Sequence, residues 1–234
     1  MSTVIFVRHG LTAMTGPVLA GHTPGLHLDE RGTAQAAAVA ARLAPVPLAA
    51  VVTSPLDRCQ ETAAAILSGR SLAAEVEPGL VEVRYGDWTG RPLKELAKEP
   101  LWKVVQAHPA AAVFPGKAGE GLATAQSRAV AAVRAWDARI TAAHGADAVW
   151  LACSHGDIIK ALLADALGMH LDLFQRLVVD PCSVSVVRYT ETRPFVLRVN
   201  DTGGDVAALL PPPAKRRRSR KSADAVVGGG AGPG

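Results

Sequence analysis

Two apolar, strand-like runs of the 234-residue chain end on an imidazole. The first is Thr3-Val4-Ile5-Phe6-Val7-Arg8-His9-Gly10, and the second runs from Ala148 to Cys153 and on into Ser154-His155-Gly156. A third run, 48–53, leads into Ser54-Pro55-Leu56-Asp57-Arg58. Runs that are apolar on both faces suit the middle of a parallel sheet, and ligands of such sheets bind beyond the carboxyl ends of the strands. If the three strands are neighbours, two histidines and two arginines meet at one spot, a pocket suited to an anion. Phosphoryl transfer fits this set best. Charge spread over three equatorial oxygens needs several fixed cations, and a neutral imidazole can attack in line. Other chemistries lack their patterns: there is no Gly-x-x-x-x-Gly-Lys-Ser/Thr loop, no Gly-x-Ser-x-Gly elbow, and no His-x-x-x-His spacing for a metal.

The elements that must position these groups follow from periodicity and punctuation. Asp29-Glu30-Arg31-Gly32 before 33–43 predicts a capped, alanine-rich helix stopped by Pro45 and Pro47. Ser54 as N-cap, Pro55 at the first helical position and Asp57 at the third predict a helix to about Leu67, its positive dipole end and Arg58 facing the strand ends. A short strand is expected over 71–77, and an extended segment from Leu80 that Gly86 and Gly90 break, with Glu82 near its end. Periodicity does not separate Glu82 from Asp87. Two short helices broken at Pro100, a long amphipathic helix over 121–144, a helix over 158–167 and a hairpin of 183–189 with 195–199 complete the pattern. The loop 13–31, rich in Gly, Pro and Thr, walls the site, and its His22 and His27 read as solvated. This order predicts an α/β fold, a three-layer α/β/α sandwich with a mostly parallel central sheet.

The net charge of +4 belongs to the C-terminus, where 211–234 holds Lys215, Arg216, Arg217, Arg218, Arg220 and Lys221 against Asp224. That stretch contributes +5 and leaves 1–210 at −1, so only the tail suits nucleic acid. Proline- and glycine-rich and unable to bury a core, 211–234 is expected to be a disordered tail on a single domain of 1–210. Cys59, Cys153 and Cys182 are odd in number and without zinc spacing, which predicts free thiols in a reducing, cytoplasmic compartment. No run of about 20 apolar residues is present, and the first strand begins by residue 3, so neither a membrane span nor a signal peptide is expected.

Four motifs in fixed order carry a family resemblance. They are Val7-Arg8-His9-Gly10-x-Thr12, Thr53-Ser54-Pro55-Leu56-x-Arg58-Cys59-x-x-Thr62-Ala63, Glu82-Val83-x-x-Gly86-x-Trp88-x-Gly90 and Ser154-His155-Gly156. Over about residues 1–200 the chain resembles the histidine phosphatase superfamily, in its phosphoglycerate-mutase-like branch. The resemblance implies a phosphohistidine mechanism without metal or other cofactor, acting on a small phosphorylated metabolite, in a protein that can dimerise through a sheet edge. His9 would be the nucleophile, and Arg8, Arg58 and His155 would bind the phosphoryl group, with Thr15 and Gly21 as further phosphate contacts. Glu82 would protonate the leaving alcohol and then take a proton from water, a role that requires a raised pKa.

The departures from the pattern concern substrate. Leu11 and Thr15 stand where many members have Glu and Asn, Ala20-Gly21-His22-Thr23 replaces Phe-Thr-Gly-Trp, Gly121 replaces Ser after Gly119-Glu120, and Asp157 stands where a mutase has Asn. They favour a phosphatase of small phosphomonoesters, with a phosphomutase, or a non-catalytic phosphoester-binding module, as the alternatives.

Overall fold

Strand β1, Thr3–Arg8, shows why its run is apolar on both sides. Val4 and Phe6 enter one hydrophobic cluster, Ile5 and Val7 the other, as the period of two in a strand dictates. Strand β4, Val149–Ser154, divides in the same way, with Trp150 and Ala152 on one face and Leu151 and Cys153 on the other. The computed structural model describes residues 2–204 and 227–231.

Six strands form one sheet in the order β3-β2-β4-β1-β5-β6, where β2 is Leu48–Thr53, β3 Ala74–Val76, β5 Val184–Arg188 and β6 Phe195–Asp201. The pairs β3–β2, β2–β4 and β4–β1 are parallel, whereas β1–β5 and β5–β6 are antiparallel. The sheet is therefore mixed, with a parallel centre and the expected hairpin closing one edge. Helices α1 (Glu30–Leu43) and α2 (Asp57–Leu67) cover one face. The long α5 (Leu122–His144) and α6 (Gly156–Ala166) cover the other, which makes three layers. Asp29 caps α1 as its sequence predicts, its carboxylate accepting from the Gly32 N–H at 2.8 Å. The short α3 (Leu93–Leu96) and α4 (Pro100–Ala107) are the pair separated at Pro100.

Several expectations change. Helix α2 starts at Asp57 with Leu56 in the cap position and no side-chain cap; the Ser54 hydroxyl takes the His155 proton at 2.7 Å and reaches only the Leu56 N–H, at 3.4 Å. Strand β3 is three residues long, shorter than 71–77. Glu82 does not lie on a strand: a 3₁₀ turn, Pro78–Leu80, precedes it and another, Gly86–Trp88, follows. The three cysteines are buried and free. No helix among the described residues is long and apolar enough to cross a membrane. Most of 205–234 lies outside the described residues, but 227–231 is described and does not stand apart from the domain; Val227 is 1 % exposed within the larger core cluster.

Candidate active site

Because β2, β4 and β1 are adjacent, their carboxyl ends bring together the residues that follow them. Arg8 ends β1 and His9 leaves it, Arg58 sits in the first turn of α2, and His155 occupies the cap position of α6. The first turns of α2 and α6 thus point their partial positive charge at the site. The turn after β1 is tight: a Cβ at Gly10 would lie 2.6 Å from the Gly32 carbonyl oxygen, so α1 can approach only a glycine there. Thr62, one turn along α2 from Arg58, accepts the Gly10 N–H at 3.1 Å and ties that turn to the helix.

Hydrogen bonds set the tautomers. His9 Nδ1 lies 2.7 Å from the Gly10 carbonyl, which can only accept, so Nδ1 carries the proton. Arg58 Nε then donates to the lone pair of His9 Nε2 at 3.2 Å. Arg58 Nη2 faces His155 Nδ1 at 3.3 Å and, as a donor only, leaves the His155 proton on Nε2, from which it is donated to Ser54 Oγ at 2.7 Å. The two imidazoles stand edge to face, 5.2 Å between centroids. Burial first, then the charges of Arg58 and Arg8, hold the His9 pKa well below its usual value, and burial with Arg58 does the same for His155. Both rings are neutral, and His9 presents a lone pair on Nε2.

The guanidinium groups are only partly satisfied. Arg58 Nη2 also donates to the Gly21 carbonyl at 2.8 Å, so Gly21 reaches the site through the oxygen that orients Arg58. Arg58 Nη1 and Arg8 Nε are buried without a hydrogen-bond partner among the described residues. Two orphaned cationic donors in one pocket call for an anion, since unpaired buried donors are rare and costly. Thr15 lines the same pocket, its hydroxyl held by the Thr12 N–H at 3.1 Å and the Thr12 hydroxyl at 2.9 Å.

Glu82 is 4 % exposed and lines the pocket with His9, Arg8 and Arg58. Burial and the nearby Asp157 push its carboxyl up to about 8, against the opposing pull of the Val83 N–H and of both arginines. Its backbone is braced: the Glu82 carbonyl accepts from His22 Nε2 at 2.7 Å and from Arg128 Nη2 at 2.9 Å. Arg128, on α5, also grips Glu120 with two N–H groups, and Glu120 in turn accepts the Arg84 N–H at 2.9 Å. His22 is thus a half-buried brace where a solvated loop residue was expected. His27 is exposed beside Glu61, away from the pocket, and Asp87 packs against Gly116.

The sequence reading missed Arg128, Tyr85 and the far C-terminus. Tyr85 lines the pocket and donates to Asp157 at 2.9 Å. Arg8 donates from Nη1 to the carbonyls of Val179 at 2.8 Å and Gly230 at 2.6 Å. Proximity of Glu120 and Arg128 on one helical approach is the only signal that could have found the brace, and nothing local points from the C-terminus to Arg8.

Known proteins resemble this chain along most of its length. The family model of the histidine phosphatase superfamily (branch 1) matches residues 4–202. Phosphoserine phosphatase 1 of Hydrogenobacter thermophilus is 30% identical over 208 residues, covering 86% of this chain and 93% of that protein. The uncharacterized protein Rv0525 of Mycobacterium tuberculosis is 50% identical over 76 residues, so the match spans only 38% of its length and 32% of this chain. Among solved structures, the alpha-ribazole phosphatase from Shigella flexneri superposes with a TM-score of 0.72 at 27% identity, over 87% of this chain and 98% of that one.

Proposed function

The chain belongs to the histidine phosphatase superfamily (branch 1), and from that footing we propose that it is a metal-independent phosphatase hydrolysing small phosphomonoesters through a phosphohistidine on His9. The observation that carries the proposal is His9 Nε2, held by Arg58 in a pocket with two guanidinium donors unpaired among the described residues and the buried carboxyl of Glu82. In the first step the Arg58 Nε–H passes from His9 Nε2 to a phosphoryl oxygen, the freed Nε2 lone pair attacks phosphorus in line and the ester P–O bond breaks, while Glu82 gives its proton to the leaving alcohol. In the second, water attacks the phosphohistidine, Glu82 takes the water proton, the N–P bond breaks and inorganic phosphate leaves. Arg8 and Arg58 hold the equatorial oxygens throughout, supplying fixed positive charge and hydrogen bonds where charge is greatest, and His155, its Nε2 proton given to Ser54, positions Arg58 through Nδ1.

Both relatives with a named activity are named for small-molecule phosphate esters, phosphoserine in one and alpha-ribazole phosphate in the other, which supports a substrate of that size. The test is phosphate release from an aryl phosphate in EDTA. The intact chain is expected to turn over, and His9→Ala to lose on the order of 10³-fold or more with unchanged circular dichroism. Appreciable turnover by His9→Ala removes the proposed nucleophile.

A further inference from the structure

The pocket beside His9 is already entered by the chain itself. Residues 227–231 run past Arg8, which donates from Nη2 to the carbonyls of Gly228 and Gly229, both at 3.4 Å, besides its 2.6 Å bond from Nη1 to Gly230. On the other side the Gly228 N–H donates to Asp157 Oδ2 at 2.9 Å. A peptide backbone thus has its acceptors matched to a cation and a donor matched to a carboxyl group. With this segment in place Val227, Gly228 and Gly229 themselves line the pocket beside Arg8, His9 and Arg58.

We propose that this pocket is a binding site for a glycine-rich peptide backbone, occupied in cis by 227–231, which competes with phosphate for Arg8. The inference rests on the reading of Arg8 as a phosphate ligand. The composition of the segment fits the role. Gly228 and Gly229 have φ of +79° and +77°, a region that side chains rarely adopt. A Cβ at Gly229 would lie 2.9 Å from Arg8 Nη1, and one at Gly228 would lie 3.0 Å from Leu19 Cδ1. Only glycine lets the backbone come this close to the guanidinium. Val227 anchors the segment, packed into the same apolar cluster as Leu19 and Tyr85. The segment belongs to the same chain as Arg8, so the contact is intramolecular and independent of protein concentration. A carbonyl is a weaker partner for a guanidinium than a phosphate oxyanion. A well-bound substrate therefore displaces the segment, and the occupant raises KM without lowering kcat.

The experiment compares the full chain with Val227→Asp, Gly229→Val and a chain ending at Gly204. It measures KM and kcat on an aryl phosphate, and the Kd of inorganic phosphate by calorimetry. Both constants are expected to fall together by about fivefold or more in all three variants with kcat retained. A synthetic peptide of residues 225–232 should restore the higher KM of the shortened chain competitively. Unchanged KM and Kd in both substituted chains would overturn the proposal, as would a fall in kcat/KM, which would make the segment part of the working site. Should the shortened chain not fold, the two full-length substitutions decide the matter alone. If no form turns over, the phosphatase reading falls, while the phosphate Kd still decides whether the segment competes.

Discussion

Three buried side chains at the site carry protons where their surroundings put them. Burial and arginine charge keep His9 and His155 neutral, and burial with Asp157 keeps Glu82 protonated to about pH 8. For catalysis, kcat/KM on an alkyl phosphate should fall as pH rises through about 8, because the free enzyme then loses its acid. Glu82→Gln should abolish that limb and slow alkyl phosphates far more than aryl phosphates, whose leaving groups need little protonation. Equal losses on both substrates would remove Glu82 as the acid. For stability the signs oppose. The histidines bind fewer protons folded than unfolded, so they favour the fold increasingly as pH rises towards 6.5. Glu82 binds more protons folded than unfolded between about 4.5 and about 8, so its contribution declines across that window. Urea titrations of Glu82→Gln should show that decline removed, and an unchanged pH profile would contradict it. Arg8, His9, Arg58 and His155 were legible as a cluster because each follows an apolar run. The cap read at Ser54 did not form, since a histidine 101 residues away, which no local pattern reveals, donates to its hydroxyl.

Elements place these side chains with unequal security. His9, Arg58 and His155 hang from strand ends and helix starts inside the core, whereas Glu82 sits on a segment without regular structure, between two 3₁₀ turns. Arg128 supplies what a strand would have supplied, binding the carbonyls of Gly79 and Glu82 and both oxygens of Glu120. Arg128→Met should therefore resemble a weakened Glu82→Gln. A kcat loss on the order of tenfold is expected on alkyl phosphates, smaller on aryl phosphates, with little change in KM. An equal loss on both substrates, or a loss confined to thermal stability, would reduce Arg128 to packing. Strands and long helices could be read ahead of the structure because one periodicity ran through each. The Glu82 segment could not, because its support comes from a helix residue that in sequence is one basic group among many. In the core, Phe6 is fully buried on the α5–α6 side of β1. Phe6→Ala should cost about 3–5 kcal/mol by urea denaturation. A cost under 1 kcal/mol would mean that the sheet centre is looser than described.

At the scale of the whole molecule, strand order makes the site. Placing β4 between β2 and β1 puts three motifs that are far apart in sequence within hydrogen-bond reach of one another. That adjacency was inferable only as a condition, because parallel strands need not be neighbours in the order that chemistry requires. The far C-terminus was the least legible part. Its composition gives no periodicity and no core, yet 227–231 seats on Arg8 through backbone atoms, which no side-chain pattern advertises. The central claim is a covalent one, that His9 takes the phosphoryl group, and acid-free rapid quench of the intact chain with an aryl phosphate in EDTA tests it most directly. A burst of released phenol equal to the enzyme, with the phosphoryl group recovered on the peptide containing His9 and both absent in His9→Ala, is the predicted result. Steady release without a burst, no phosphorylated peptide, and full turnover by His9→Ala would contradict it.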